Sequence, residues 1–252
     1  MKQRIKILAY QILILVGFLI IWEILVAGSK TAQFLYSSPF QILNILIKDI
    51  FNFTLIYNSF ITFYETIVGF IVGNLIGISI GLGLWYSKTA FKIAKPYIII
   101  LGSIPIFALA PLLIIWFGTG ILSKIVLVIL STLILAMVQS YKGASEIDKN
   151  RVNMMKSFGA NKNQIFKMLV VPSSLSWVLS AIKLNIGFAL LGAFIGEFIS
   201  SEAGLGHYII RASGLYDISS VFAGVIMIAL IALVLNFCAD ILERKLTPWL
   251  KE

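Results

Sequence analysis

Charge is what this sequence has least of. Only 12% of its 252 residues are Asp, Glu, Lys or Arg, where a soluble domain carries about a quarter. Too little polar surface is available to cover a water-soluble fold, and that class is excluded. Cysteine and histidine are nearly absent, with one of each. Cys238 alone excludes an intrachain disulfide framework, and with His207 it cannot build a Cys/His metal cluster, so no metal site is expected. Cys238 stands in the apolar run 235–242, where a small buried thiol is expected. His207 follows Gly204-Leu205-Gly206 and reads as a surface residue. Also missing are the Gly-x-x-x-x-Gly-Lys-Ser/Thr phosphate cradle, the Gly-x-Ser-x-Gly elbow and the His-Glu-x-x-His pair. Gly118 to Lys124 comes nearest to the first, with the wrong spacing. No catalytic residue and no cofactor of its own are expected for this chain, and a chain of this kind that moves a solute uphill must take its energy from elsewhere.

What is there is apolar surface. Apolar residues make up 60% of the chain and mean hydropathy is +0.99. A spanning helix needs about 20 mostly apolar residues to cross roughly 30 Å of hydrocarbon. That window predicts an all-α membrane protein of one domain, residues 1–252, with six spans near 7–27, 58–84, 97–117, 121–141, 173–199 and 219–240. The first follows Lys2, Arg4 and Lys6 but is longer than a cleavable signal core, and reads as a retained helix. With the N-terminus inside, 15 of the 20 Lys and Arg residues fall on cytoplasmic segments. This bias sets both termini in the cytoplasm and directs the +9 net charge to lipid headgroups rather than nucleic acid. Ser38-Pro39 reads as the N-cap and first residue of an outer helix, with Phe40, Leu43, Ile47, Ile50 and Phe51 on one face.

Two features inside the spans stand out. Gly69, Gly73, Gly77 and Gly81 recur every four residues, a stripe that lets a second helix backbone approach closely. Gly187, Gly192 and Gly196 leave similar small spots in the fifth span. Ionisable groups in spans are costly and turn away from lipid. Glu23 and Glu65 sit near outer helix ends and are expected to reach the interface, and Glu197, at the outer end of the fifth span, reads as a loop-edge charge without an assigned partner. Lys183 lies deeper and is a candidate for a polar path.

Residues 142–171 form a segment too long for a simple connector. Helical spacing runs from Ile147 to Phe158, with Glu146 and Asp148 at its start and Lys156 near its end. Gly159 suits the left-handed position that stops a helix. Asn161 with Gln164 matches a capping box opening a second short helix, which Pro172 is expected to end before the fifth span. Met154, Met155 and Phe158 together suggest an apolar docking face.

At this loop the sequence resembles the binding-protein-dependent ABC importer permeases. Their pattern runs Glu-Ala-Ala, three residues, Gly, nine residues, Ile-x-Leu-Pro. Gly159, Leu169, Val171 and Pro172 fall on it, as do the neighbours Ala160 and Gln164, while Asn153, Met154 and Met155 stand at the first three positions. An amide thus replaces the family's acid at Asn153. A second set is similar to the sulfonate/taurine/nitrate branch: Pro105 to Pro111 and Leu112, Trp116-Phe117-Gly118 with Gly120, Ser123-Lys124, Gly196-Glu197-Phe198, Gly204-Leu205-Gly206, and Glu243-Arg244 before Trp249. The resemblance implies a type I importer permease working as a homodimer, with ATP-binding cassette subunits docked on the loop. ATP and magnesium would be held by those subunits, and an extracytoplasmic solute-binding protein would deliver the cargo. The cargo would be a sulfonate, taurine or nitrate, or a thiamine-precursor or riboflavin-like compound. An ion-coupled carrier, which would want acidic residues near the midplane, and a non-transporting scaffold are the alternatives.

Overall fold

The structure is a computed structural model that describes residues 2–246, without the side chains of residues 2–5 and 8. Lys2, Arg4, Trp249 and Lys251, used above for charge and motif, lie outside the described side chains. Among the described residues there are twelve α-helices and no strand. Below, the loop end is the end carrying residues 142–171, and the far end is its opposite.

Five helices are long and apolar enough to span a membrane: α1 (Lys2–Ala27), α4 (Thr54–Gly83), α7 (Ile121–Ser145), α10 (Val171–Ile199) and α12 (Ile218–Leu246). The sequence window at 97–117 is not a straight helix. It is the end of α5 (Lys88–Ser103) and the whole of α6 (Ala110–Phe117), bent by 80°, and a sixth span exists only if this pair counts as one. Pro105 is the cause. It has no N–H for the helical ladder, and its ring pushes Ile104 into extended backbone at φ −74, ψ 124. A short 3-10 turn, Ile106–Leu109, then leads into α6, where Pro111 occupies the first turn and its missing donor costs nothing.

The core is three helices, α4, α7 and α10. The four-residue glycine stripe of α4 lies against α7, and the reason is volume. A Cβ at Gly69 would sit 2.5 Å from that of Val128, and one at Gly73, Gly77 or Gly81 would overlap Thr132 Oγ1 or the carbonyls of Leu133 and Met137. On α10, Gly192 and Gly196 face Val128 and Lys124 of α7 in the same way, while a Cβ at Gly187 would meet open space. At the centre of the trio Asn185, fully buried, donates to Asn74 Oδ1 at 2.7 Å and to the Thr132 carbonyl at 3.0 Å. This polar clasp joins all three helices where lipid offers no competing partner.

The remaining elements wrap this trio. α12 closes one side through Ala223, Ile231, Leu235 and Ala239 packed with Ile186 and Leu190. α2 (Lys30–Tyr36), α3 (Pro39–Phe51) and α11 (Leu205–Gly214) form a layer at the far end. Ser38 caps α3 with Pro39 next to it, as the Ser-Pro pair predicts. Yet Phe40, Leu43, Ile47 and Phe51 point outward, and α3 is seated by Ile42, Ile45 and Leu46. α1 is peripheral, resting on the bundle through Trp22, whose ring lies 5.2 Å from that of Phe222. Cys238 is exposed on α12, not buried as its apolar neighbourhood suggests, because that turn faces away from the trio.

Candidate functional site

The loop end is built by local chemistry. Asp148 caps α8 (Lys149–Ser157) by accepting the N–H of Asn150 at 2.9 Å. At the other end Gly159 sits at φ +79. Its N–H reaches the carbonyl of Lys156 and that of Ala160 reaches Met155, the paired bonds that close a helix with a left-handed glycine. Asn161 and Gln164 then exchange side-chain and backbone bonds at 2.9 and 2.8 Å, the capping box that opens α9 (Lys162–Ile165).

Pro172 does not end this second helix. α9 passes through a π turn, Phe166–Val170, straight into α10, so that Lys162–Ile199 is one helical element. The wider turn carries one extra residue, and Pro172 falls in the first turn of α10 beyond it. The loop is therefore joined without a break to a core helix.

The loop's apolar residues divide into two sets. Met155, Ala160, Val152 and Phe166 turn inward on the buried trio Ala144, Ile165 and Val170. Asn153, Met154 and Phe158 face outward, Phe158 at 83% exposure and Met154 at 57%. Met155 thus belongs to the foot of the loop rather than its outer face. Trp85 and Tyr86, which the sequence reading did not single out, complete that foot. Their rings lie 5.7 and 4.7 Å from Phe166, the Tyr86 hydroxyl donates to Asn163 at 3.2 Å, and Lys162 Nζ donates to the Tyr86 carbonyl at 2.6 Å. The available signal was an aromatic pair at the end of the glycine-striped span.

Between the bent α5–α6 pair, α7 and α10 lies a cavity of 430 Å³. Pro105, Phe107, Ile134, Phe188 and Gly192 line it, with Ser131 as its hydroxyl. Lys183 is not part of that lining. It pairs with Asp240 at 2.6 Å and with Glu243, tying α10 to the loop end of α12.

At the far end Glu65, Lys124 and Glu197 are enclosed, each at 1% exposure or less. The interfacial position expected for Glu65 is therefore corrected, since its side chain is enclosed within the bundle, and Glu197 is no exposed loop-edge charge but is covered by α4 and α11. Glu197 accepts the Thr62 hydroxyl at 2.7 Å and the Gly206 N–H at 2.6 Å. Thr62 Oγ1 accepts the Leu205 N–H at 2.8 Å, and Asn58 Oδ1 that of Gly204 at 2.8 Å. Three successive backbone donors at the start of α11 are thus taken by α4 and α10, at the helix end where negative charge is favoured. The two glycines make this possible. Gly204 lies at φ +105 and any Cβ there would overlap the Glu197 carboxylate, while one at Gly206 would come within 2.6 Å of the Phe194 carbonyl. Lys124 donates to the carbonyls of Thr119 and Gly120, and its charge attracts Glu65 and Glu197. Glu23 also holds backbone, accepting the Phe40 N–H at 3.0 Å.

The core trio and a loop continuous with one core helix can be compared with known proteins. A solved structure described as an inward-facing form of the MetNI methionine ABC transporter superposes with a TM-score of 0.70 at 17% identity, covering 79% of this chain and 99% of that one. That likeness concerns the fold. The formylaminopyrimidine transport permease protein ThiX of Halalkalibacterium halodurans is 29% identical over 235 residues, 93% of either chain. The putative aliphatic sulfonates transport permease protein SsuC of Bacillus subtilis is 27% identical over 229 residues, 91% of this chain and 83% of its own. The family described as binding-protein-dependent transport system inner membrane component matches residues 73–252, from the glycine stripe through the loop and the clasp, and this chain belongs to it as the membrane permease subunit of an ABC importer.

Proposed function

We propose that this permease works as a homodimer whose two loops each dock in an ATP-binding cassette subunit. The observation that carries this reading is the outward presentation of Met154 and Phe158 on a loop capped at both ends and fused to α10. Exposed apolar side chains on a rigid element suit a groove in a partner. Asn153 beside them would meet that partner as an amide, through hydrogen bonds rather than an ion pair. Closure of the ATPase dimer would displace the loop, and the displacement would travel along Lys162–Ile199 as a rigid body past the Pro105–Phe188 cavity, where Gly192 lets α10 lie close to α7.

In this reading the chain carries no ATPase site of its own, and ATP with magnesium belongs to the docked subunits. Both termini and the loop face the cytoplasm, and a solute-binding protein delivers cargo at the far end. The 29% relative that spans nearly the whole of both chains supports a formylaminopyrimidine-like cargo, and the 27% relative an aliphatic sulfonate. The test is purification from membranes in detergent followed by reconstitution in vesicles. The permease should retain an ATPase subunit, and uptake of the two cargo classes should require ATP inside and the binding protein outside. A chain that purifies alone and transports without ATP sinks the proposal.

A further inference from the structure

Glu197 poses a question that packing alone does not answer. A carboxylate at 0% exposure is costly to bury, and near the end of a membrane helix a small apolar residue would pack without that cost. Yet Glu197 stands three residues before the start of the α10 C-cap, with both oxygens committed to other elements: one to Thr62 of α4, the other to the Gly206 N–H of α11. Gly204 and Gly206 give up their side chains to admit it. The far end of α10 is thus held by side-chain bonds, and its loop end is held by the π turn, α9 and the Trp85–Tyr86 corner. α10 is one uninterrupted helix between these two grips.

What it grips is a surface element. α11 lies in the far-end layer, seated by Leu205, Ile209 and Ala212 and exposing Arg211 and Ser213. Its Tyr208 donates to Asp49 of α3 at 2.7 Å. Burial first of all pushes the Tyr208 phenol well above its ordinary range, and this contact keeps its proton at any working pH. α11 is consequently joined to α10 on one side and to α3 on the other. Of the three acceptors that hold the α11 N-terminus, Asn58 and Thr62 belong to α4 and Glu197 alone to α10, so the Glu197–Gly206 bond is the polar contact through which a displacement of α10 relative to α4 reaches this layer.

We propose that Glu197 is a positioning residue that transmits movement of α10 to α11, so that the far surface changes with the nucleotide state of the docked ATPase. This rests on the permease–ATPase reading above, and the experiment separates the two. In a Cys238→Ser background, Ser213→Cys places a single reporter thiol on the exposed side of α11. The complex is placed in nanodiscs, and the rate of labelling by a membrane-impermeant maleimide is measured without nucleotide and after trapping with ATP and orthovanadate. The protein with Glu197 intact should show a severalfold difference in rate between the two states. Glu197→Ala should abolish that difference while the ATPase stays bound and trapped. Glu197→Gln should keep part of it, since the amide oxygen still accepts one of the two bonds; a purely structural role would instead lower assembly and leave the difference intact in whatever complex still traps its ATPase. Where Glu197→Ala fails to assemble, Thr62→Val keeps the shape, deletes the hydroxyl that donates to Glu197 and accepts the Leu205 N–H, and should give a similar partial loss.

A complex that never retains or traps an ATPase refutes the permease–ATPase reading. A trapped complex with equal rates in both states, or Glu197→Ala with the full difference, overturns the transmission role alone.

Discussion

Gly159 sits at φ +79 with open space where its Cβ would be, so the constraint there is backbone conformation and not room. A β-branched residue tolerates that region poorly. Gly159→Val should leave the bundle folded and distort the turn between α8 and α9, so that ATP-driven uptake collapses while the protein's melting temperature changes little. Phe158→Ala acts differently, removing a side chain that is 83% exposed and touches little within the chain. It should leave the loop intact and lower the fraction of ATPase retained through purification, which gel densitometry reads directly. Both residues were legible in the sequence because helix stops and exposed aromatics are local signals. Glu65 and Glu197 were not. Thr62 and Asn58 stand 135 and 146 positions from their partners Glu197 and Gly204, and no local rule connects such positions. Cys238 was misread for a related reason, since an apolar run in a membrane chain is as ready to face outward as inward.

At the scale of elements, the contact between α4 and α7 rests on four glycines that a methyl group would overfill. Gly77 faces backbone, the Leu133 carbonyl and the Met137 nitrogen, and backbone yields less than a flexible side chain. Gly77→Leu should therefore destabilise the bundle, by about 1–3 kcal/mol on the scale of overpacked soluble cores. A fluorescence melt in detergent measures it, and an unchanged midpoint would show that the two helices part easily. The stripe itself could be read from its period, although its partner helix could not. The same limit applied to the third span. Hydropathy sees composition, so residues 97–117 passed as one helix, while the break at Ile104–Pro105 follows from proline's missing donor. The foot of the loop makes the case again from the other side. Trp85 and Tyr86 lie at the end of α4 and find Phe166 only through the fold. Trp85→Ala should loosen that foot without touching either cap, and hydrogen exchange should quicken across residues 149–165.

For the whole molecule, the coupling depends on its direction in the membrane. The sequence-based span assignment expects 15 of the 20 basic residues on the side of the loop, and moving Lys or Arg to the outer side opposes the bias that orients membrane chains. The structure puts α8 and α2 at opposite ends of the core trio, since α4 and α10 run between the layer around α11 and the foot around Ile165. Lys156 lies on α8 and Lys30 on α2, and both are exposed, so a thiol at either position can be reached by reagent without disturbing a contact. Cys238, exposed on α12, must first be replaced by serine so that it contributes no background. In intact cells a membrane-impermeant maleimide should then label Lys30→Cys and leave Lys156→Cys untouched, and in inverted vesicles the pattern should reverse. Labelling of both positions from one side would break the bundle into something other than a spanning domain. Labelling of Lys156→Cys from outside the cell would put the loop beyond the reach of any cytoplasmic ATPase, and the coupling through α10 would lose its source of energy.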